Sequence, residues 1–290
     1  MKKIIITCIF ISISILFLFG LCLGSMHTLW NINHTNTSRY TTTIVVAEPN
    51  FTDTVVQSVK SVVHIKCPQW QGSGFVIGPN LIVTARHCVE GVESFTITTH
   101  EGYLLHAYRA ISSKKYDVAF IYVDDLSCLG FSDNSVQYKL PPKEVKLIPL
   151  KLGSIKNCKL GQDIFIIGSP FGNINFNSVS KGIISGINKD WDTIDPWTGE
   201  RYGWEVSFTS DSAAHPGNSG GAVFTMDGVV RGVLVGGYSP VLNCSMPCDL
   251  FLPDIEQIKL MFIMDKYQFE KVPEYSPDDY YNHAEDNEYY

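Results

Sequence analysis

The stretch His215-Pro216-Gly217-Asn218-Ser219-Gly220-Gly221-Ala222-Val223 surrounds one serine with small and turn-forming residues, which let backbone N–H groups point outward as in an oxyanion hole. A serine hydroxyl becomes a useful nucleophile only with a base beside it and donors facing the developing negative charge. The candidate base is His87, near the end of the apolar run Ile82-Val83-Thr84-Ala85-Arg86-His87-Cys88. Its candidate acid is Asp117, which opens the next apolar run, Val118-Ala119-Phe120-Ile121. Asp124 and Asp125 follow that run and fall at its far end, whereas Asp117 begins it 30 residues after His87 (117 − 87). Taken alone, His87 reads as a hydrogen-bonded histidine at a strand end; weighed with Ser219 and Asp117 by role, it reads as a base.

The chain order is therefore His, Asp, Ser. Gly217-Asn218-Ser219-Gly220-Gly221 also fits the Gly-x-Ser-x-Gly elbow of α/β-hydrolases, but there the acid and histidine follow the serine. The order found here is that of the chymotrypsin-like double β-barrels.

Composition agrees with one globular unit: 290 residues, 45% hydrophobic and 18% charged. A net charge of −7 with no basic stripe excludes the electrostatic footprint of a nucleic-acid binder. Residues 4–24 follow Lys2 and Lys3 without a single charge, close to the ~20 apolar residues of a membrane-crossing helix. This 1–24 segment reads as a cytoplasmic stub with a signal-anchor, or as a signal peptide cut near Ser25; either way the remainder is exported. Residues 25–54 read as a flexible polar linker. Asn33, Asn36, Asn50 and Asn243 begin glycosylation sequons.

Six cysteines lie beyond the first segment: Cys67, Cys88, Cys128, Cys158, Cys244 and Cys248. An even number in an exported chain is compatible with three disulfides, for which the pairs Cys67–Cys88, Cys128–Cys158 and Cys244–Cys248 are expected; buried thiols are the alternative. No pair has zinc-knuckle spacing and the histidines are scattered, so no metal or other cofactor is expected.

From Val55 onward short β-rich runs alternate with turn residues: 62–67, 74–78, 81–85, 94–99, 118–123, 145–150, 163–168, 182–187, 205–210, 222–225 and 229–237. Helical periodicity appears only over Asp254 to Tyr267, with Ile255, Ile258 and Met261/Phe262 on one face. Residues 268–290 are acidic and Tyr-rich and read as a disordered tail. An all-β protein of two packed barrels with a closing helix over 55–267 is the expectation.

Over that span the chain resembles the trypsin-like serine proteases of the chymotrypsin superfamily, and within them the high-temperature-requirement (HtrA/Deg) branch. The motifs are Gly72-Ser73-Gly74-Phe75-Val76-Ile77 leading to Thr84-Ala85-Arg86-His87, then Asp117-Val118-Ala119, Ile167-Gly168-Ser169-Pro170-Phe171-Gly172, Ser180-Lys181-Gly182-Ile183-Ile184-Ser185, and Ser210-Asp211 through Gly217-Asn218-Ser219-Gly220-Gly221. The resemblance implies two six-stranded antiparallel barrels, with His87 and Asp117 from the first, Ser219 from the second and the site in the cleft between. It implies an endopeptidase working through an acyl-enzyme, with Gly217-Asn218-Ser219 as oxyanion hole: the N–H groups of Gly217 and Ser219 donate and Asn218 shapes the turn.

It also places the floor of the primary substrate pocket six residues before the nucleophile, at Ala213, with Val235, Gly236 and Gly237 in the wall. Without a carboxylate there, a buried Lys or Arg would lack a counter-charge, so medium apolar residues are the expected cleavage position. Asp211 reads as structural. Cys88 follows the histidine as in animal trypsins, but its usual partner's position is Gly72. Only 23 residues follow Tyr267 (290 − 267), too few for the PDZ domain that Deg proteases commonly carry. Protein or peptide substrates are the expected partners, with the membrane reached through the first helix. The alternatives are a catalytically silent binding protein on the same fold and a protease that cuts only its own chain.

Overall fold

The computed structural model describes residues 50–128, 130–133, 136–138, 143–194, 201–264 and 274–275. Helix α1 (Phe51–Ser58) is capped by Asn50, whose side-chain oxygen accepts from the Thr52 N–H at 3.2 Å. It begins inside the stretch expected to be a flexible linker because Phe51 finds an apolar partner, lying edge-on to Phe165 with centroids 5.4 Å apart. The apolar segment 4–24 lies outside the described residues, among which no helix is long and apolar enough to cross a membrane.

The strands that follow are β1 (Val62–Lys66), β2 (Gln71–Gly78), β3 (Leu81–Thr84), β4 (Phe95–Thr98), β5 (Tyr103–Ala107), β6 (Arg109–Ser113) and β7 (Ala119–Tyr122). Then come the short β8 (Ser127–Cys128), β9 (Gly130–Asp133), β10 (Val136–Tyr138) and β11 (Lys143–Glu144). The C-terminal half holds β12 (Asp163–Gly168), β13 (Ser178–Ile194), β14 (Arg201–Ser210), β15 (Ala222–Thr225), β16 (Val230–Ser239) and β17 (Leu242–Pro247), then helix α2 (Ile255–Met264) and β18 (Glu274–Tyr275). Strands β12-β13-β14-β17-β16-β15 close into a six-stranded antiparallel barrel.

The first half departs from the closed barrel expected there. Its strands form an open ten-stranded sheet in the order β10-β9-β5-β4-β1-β2-β3-β7-β6-β18. Closure would need β5 to pair with β6; instead Tyr103 and Leu104 of β5 pair with β9, while β6 takes β18 as a parallel partner. Two residues of the expected disordered tail therefore join a sheet edge. The expected strand 145–150 is extended chain outside the ladders, tied by single bonds such as Leu150 N–H to Val76 C=O at 2.9 Å.

The strands next to the cleft are buried on both faces, which is why they read as unbroken apolar runs. Side chains alternate along each strand: Val76, Ile82 and Ile121 enter the core of the first sheet, and Phe75, Val83 and Phe120 enter the layer between the halves. Ile164 and Ile166 fill the second barrel, whereas Phe165 and Ile167 join that shared layer. Helix α2 covers one end of the shared layer with Ile258 and Phe262, each 0% exposed.

All six cysteines are free and buried, which corrects the disulfide expectation. Cys128 packs in the first sheet's core and Cys158 in that of the second barrel. Cys67 and Cys88 belong to different clusters. Cys244 in β17 and Cys248 just past it are four residues apart; at about 3.3 Å per residue of extended chain their Cα atoms lie well beyond the ~7 Å limit for a bridge.

Candidate active site

Strand pairing brings His87 and Asp117 together. In the β3–β7 ladder Thr84 faces Ala119, so the chain leaving β3 and the chain entering β7 emerge at the same edge. A single 3₁₀ turn, Arg86–Cys88, then presents His87. Asp117, 2% exposed, grips it twice: one carboxylate oxygen lies 2.8 Å from Nδ1 and the other accepts the His87 backbone N–H at 3.0 Å. Burial alone would lower the histidine's pKa, but the charge of Asp117, with a smaller contribution from Cys88, holds it well above 6.5. Arg86, which sequence reasoning passed over, staples this corner: its guanidinium donates to the carbonyls of Ser113 at 3.0 Å and Lys114 at 3.1 Å, just before Asp117.

The Ser219 loop is held by its carbonyls. Pro216 O accepts from Phe171 N–H at 2.8 Å, Gly217 O from the Ser73 hydroxyl at 2.7 Å, Asn218 O from Gly221 N–H at 2.8 Å and Ser219 O from Ser73 N–H at 2.7 Å. Asn218 N–H turns to His215 O at 3.0 Å, and Gly220 N–H to Leu234 O at 2.7 Å. The N–H groups of Gly217 and Ser219 meet no acceptor among the described residues. Gly217 (φ +100°) and Gly220 (φ +83°) sit in backbone regions that L side chains avoid; a Cβ on the latter would collide with Ser73 O and Thr84 Oγ1. The turn carrying His87 abuts this loop, with Cys88 Sγ 3.8 Å from Ser219 O.

Ser219 borders a cavity of about 410 Å³ whose walls include Ala214, Leu234, Gly236, Gly237 and Pro240. Of the four residues expected to form a substrate pocket, Gly236 and Gly237 line this cavity and Ala213 and Val235 do not. Ala214 N–H bonds Pro240 O at 2.8 Å, which turns Ala214 to the cavity and leaves Ala213 exposed outside it. Val235 alternates with Leu234 and Gly236 along β16, so its side chain enters the opposite, shared core.

The cavity's polar end is Asn243, which sequence reasoning saw only as a sequon. Its Oδ1 accepts from Ser210 Oγ at 2.6 Å and its Nδ2 donates to Ser212 O at 2.5 Å, at 0% exposure. A folded chain cannot be glycosylated there. Asp211 has the expected structural part, accepting the Ile183 N–H at 2.7 Å. Among the described residues no group of three or more His, Cys, Asp or Glu is placed to hold a metal.

Known proteins resemble this chain in sequence and in fold. A periplasmic serine endoprotease, DegP-like, of Halomonas elongata is 33% identical over 195 residues, 65% of this chain and 35% of the relative. A DegP-like relative in Rickettsia prowazekii is 29% identical over 194 residues, 65% of this chain and 33% of its own. The chain thus spans about a third of the length of these relatives. Among solved structures, an HtrA-type protease, AlgW with tripeptide, superposes with a TM-score of 0.56 at 20% identity, over 72% of this chain and 64% of that one, a likeness of fold. The family model for trypsin-like peptidase domains matches residues 72–233, more than half of the sequence, and the chain belongs to that family.

Proposed function

We propose that the protein is a serine endopeptidase in which Ser219 attacks the scissile carbonyl, His87 takes its proton and returns it to the leaving amine, and Asp117 holds the imidazole tautomer and stabilises the imidazolium. The observation that carries this reading is the contact of Cys88 Sγ with Ser219 O at 3.8 Å: it sets the turn bearing the Asp117-gripped His87 directly against the backbone of the serine. The unclaimed N–H groups of Gly217 and Ser219 receive the oxyanion, and one such donor is worth on the order of 3 kcal/mol in the transition state. The largely apolar cavity beside Ser219, lined without a carboxylate, takes the side chain before the scissile bond and favours medium apolar residues over Lys or Arg.

The apolar segment 4–24 directs export, as a tether or a cleaved leader, and the relatives described as periplasmic support an exported catalytic domain. A fluorophosphonate probe tests the central reading. Wild type labels and Ser219→Ala does not, and an unstructured protein added in trans is cut. Absence of labelling on folded wild type would return the chain to a binding role, and cleavage confined to its own chain would make it a processing enzyme in cis.

A further inference from the structure

Strand β2 sends one side chain across the cleft into the Ser219 loop. Ser73 is 0% exposed, and all its polar groups are engaged. Its Oγ accepts the Ser169 N–H at 2.8 Å, so the hydroxyl proton is left for Gly217 O, 2.7 Å away and 144 residues distant in sequence. Its N–H donates to Ser219 O at 2.7 Å, and its own carbonyl accepts from Thr84 Oγ1 at 2.7 Å, three residues before His87. Gly217, at φ +100° and without a Cβ, has little of its own to stop either flanking peptide from rotating. The peptide after it is held by Ser73 directly. The peptide before it is held by Phe171 N–H on Pro216 O, and Phe171 lies two residues beyond the Ser169 amide that Ser73 anchors.

We infer that Ser73 is a positioning residue for the reaction: its hydroxyl locks Gly217 so that the Gly217 and Ser219 N–H groups stay aimed at the reacting carbonyl. The inference rests on the protease reading above and adds a residue to it from the other half of the molecule. Because Ser73 is fully buried, no water takes the place of the lost hydroxyl. An oxyanion donor acts only when charge has developed, so its misalignment lowers kcat while leaving ground-state binding alone.

The test is Ser73→Ala, with Ser73→Cys as a variant of similar length and weaker donor, and Thr225→Val as a control that removes a buried hydroxyl far from the cleft. For each, kcat and KM on one peptide substrate are measured beside the affinity for a peptide aldehyde, whose adduct carries the oxyanion, and for the matching product acid. Ser73→Ala is expected to lose roughly 10- to 100-fold in kcat and in aldehyde affinity together, with KM and product affinity within about threefold; Ser73→Cys falls between, and Thr225→Val changes melting temperature but not kcat. Equal aldehyde affinity in wild type and whichever Ser73 variant folds would overturn the inference, as would a loss confined to KM. A wild type that never labels with fluorophosphonate fails the protease reading itself, whereas a labelling wild type with an unaffected Ser73→Ala fails only this inference.

Discussion

In the first sheet His87 and Asp117 meet because two neighbouring strands share one ladder: Thr84 opposite Ala119 leaves both residues at one edge, and two short bonds finish the geometry. In the second barrel Ser219 stands on a glycine-rich loop whose carbonyls reach partners far away in sequence, Ser73 above all. The lesson is that a histidine–carboxylate pair built on register survives insults to distant loops, while a serine carried on a loop inherits the stability of everything that holds it. Among the described residues the open first sheet has no closing ladder, yet its site corner is the more local of the two; closure and precision at the cleft are separate properties.

The sharpest way to break this contrast is Ser219→Ala. Removing the hydroxyl is expected to cost on the order of 10⁶-fold in kcat with unchanged melting temperature, measured with a peptide ester, because it takes no bond from the loop carbonyls. A large loss of stability would mean that the loop leans on the hydroxyl.

Asp117→Asn comes next, at roughly 10⁴-fold, since the amide favours the wrong imidazole tautomer. It also carries a pH signature. His87, with its pKa held above 6.5 by Asp117, must be neutral to act as base, so kcat/KM in wild type falls as pH drops through a midpoint above 6.5. The variant removes the charge that raises the pKa and leaves the burial that lowers it, so residual activity shows its acid limb at lower pH. Stability has the opposite sign: the raised histidine pKa contributes fully below 6.5 and is lost as pH rises through the folded value. An acid limb unmoved by the substitution would remove Asp117 from the dyad.

Smaller effects separate the halves by glycine. Gly220→Ala forces a Cβ into Ser73 O and Thr84 Oγ1 at φ +83° and is expected to cost at least about 2 kcal/mol in urea unfolding. Gly91→Ala in the first half, at φ +68° with open space around it, should cost about 1 kcal/mol. Equal costs would dissolve the distinction. The smallest effect is that of reductant: with six free buried cysteines, a reducing agent should leave the melting temperature of the domain unchanged to within about 1 °C. Burial pushes the Cys244 thiol up to about 12 and Cys248 higher in the same direction, so neither reacts while the fold holds.

Much of the candidate site is legible in the sequence because it is written in residue types at local spacing: Gly217-Asn218-Ser219-Gly220-Gly221, and the two apolar runs that flank His87 and Asp117, which the fold brings together. The second barrel was legible for a related reason, as runs such as 163–168 and 222–225 are buried on both faces. Strands β5 and β6 escaped notice because His106, Arg109 and Ser112 interrupt the apolar pattern, and β17 because Pro247 and Asn243 do not look like strand interior. Ser73 and Arg86 stand inside two of the motifs, but their partners are backbone groups distant in sequence, and only folding names which ones. Which of the two adjacent alanines lines the cavity has no sequence signal either: the bond from Ala214 to Pro240 turns Ala214 to it and Ala213 away.

Asn243 has a consequence for how the chain is made. Its amide is spent at both ends inside the barrel, so a sugar can reach it only on a nascent chain that has not yet folded. In a host with that machinery, carbohydrate transfer and barrel closure compete for one nitrogen. Polypeptides modified first are diverted from the native state, and the natively folded fraction carries none at that position.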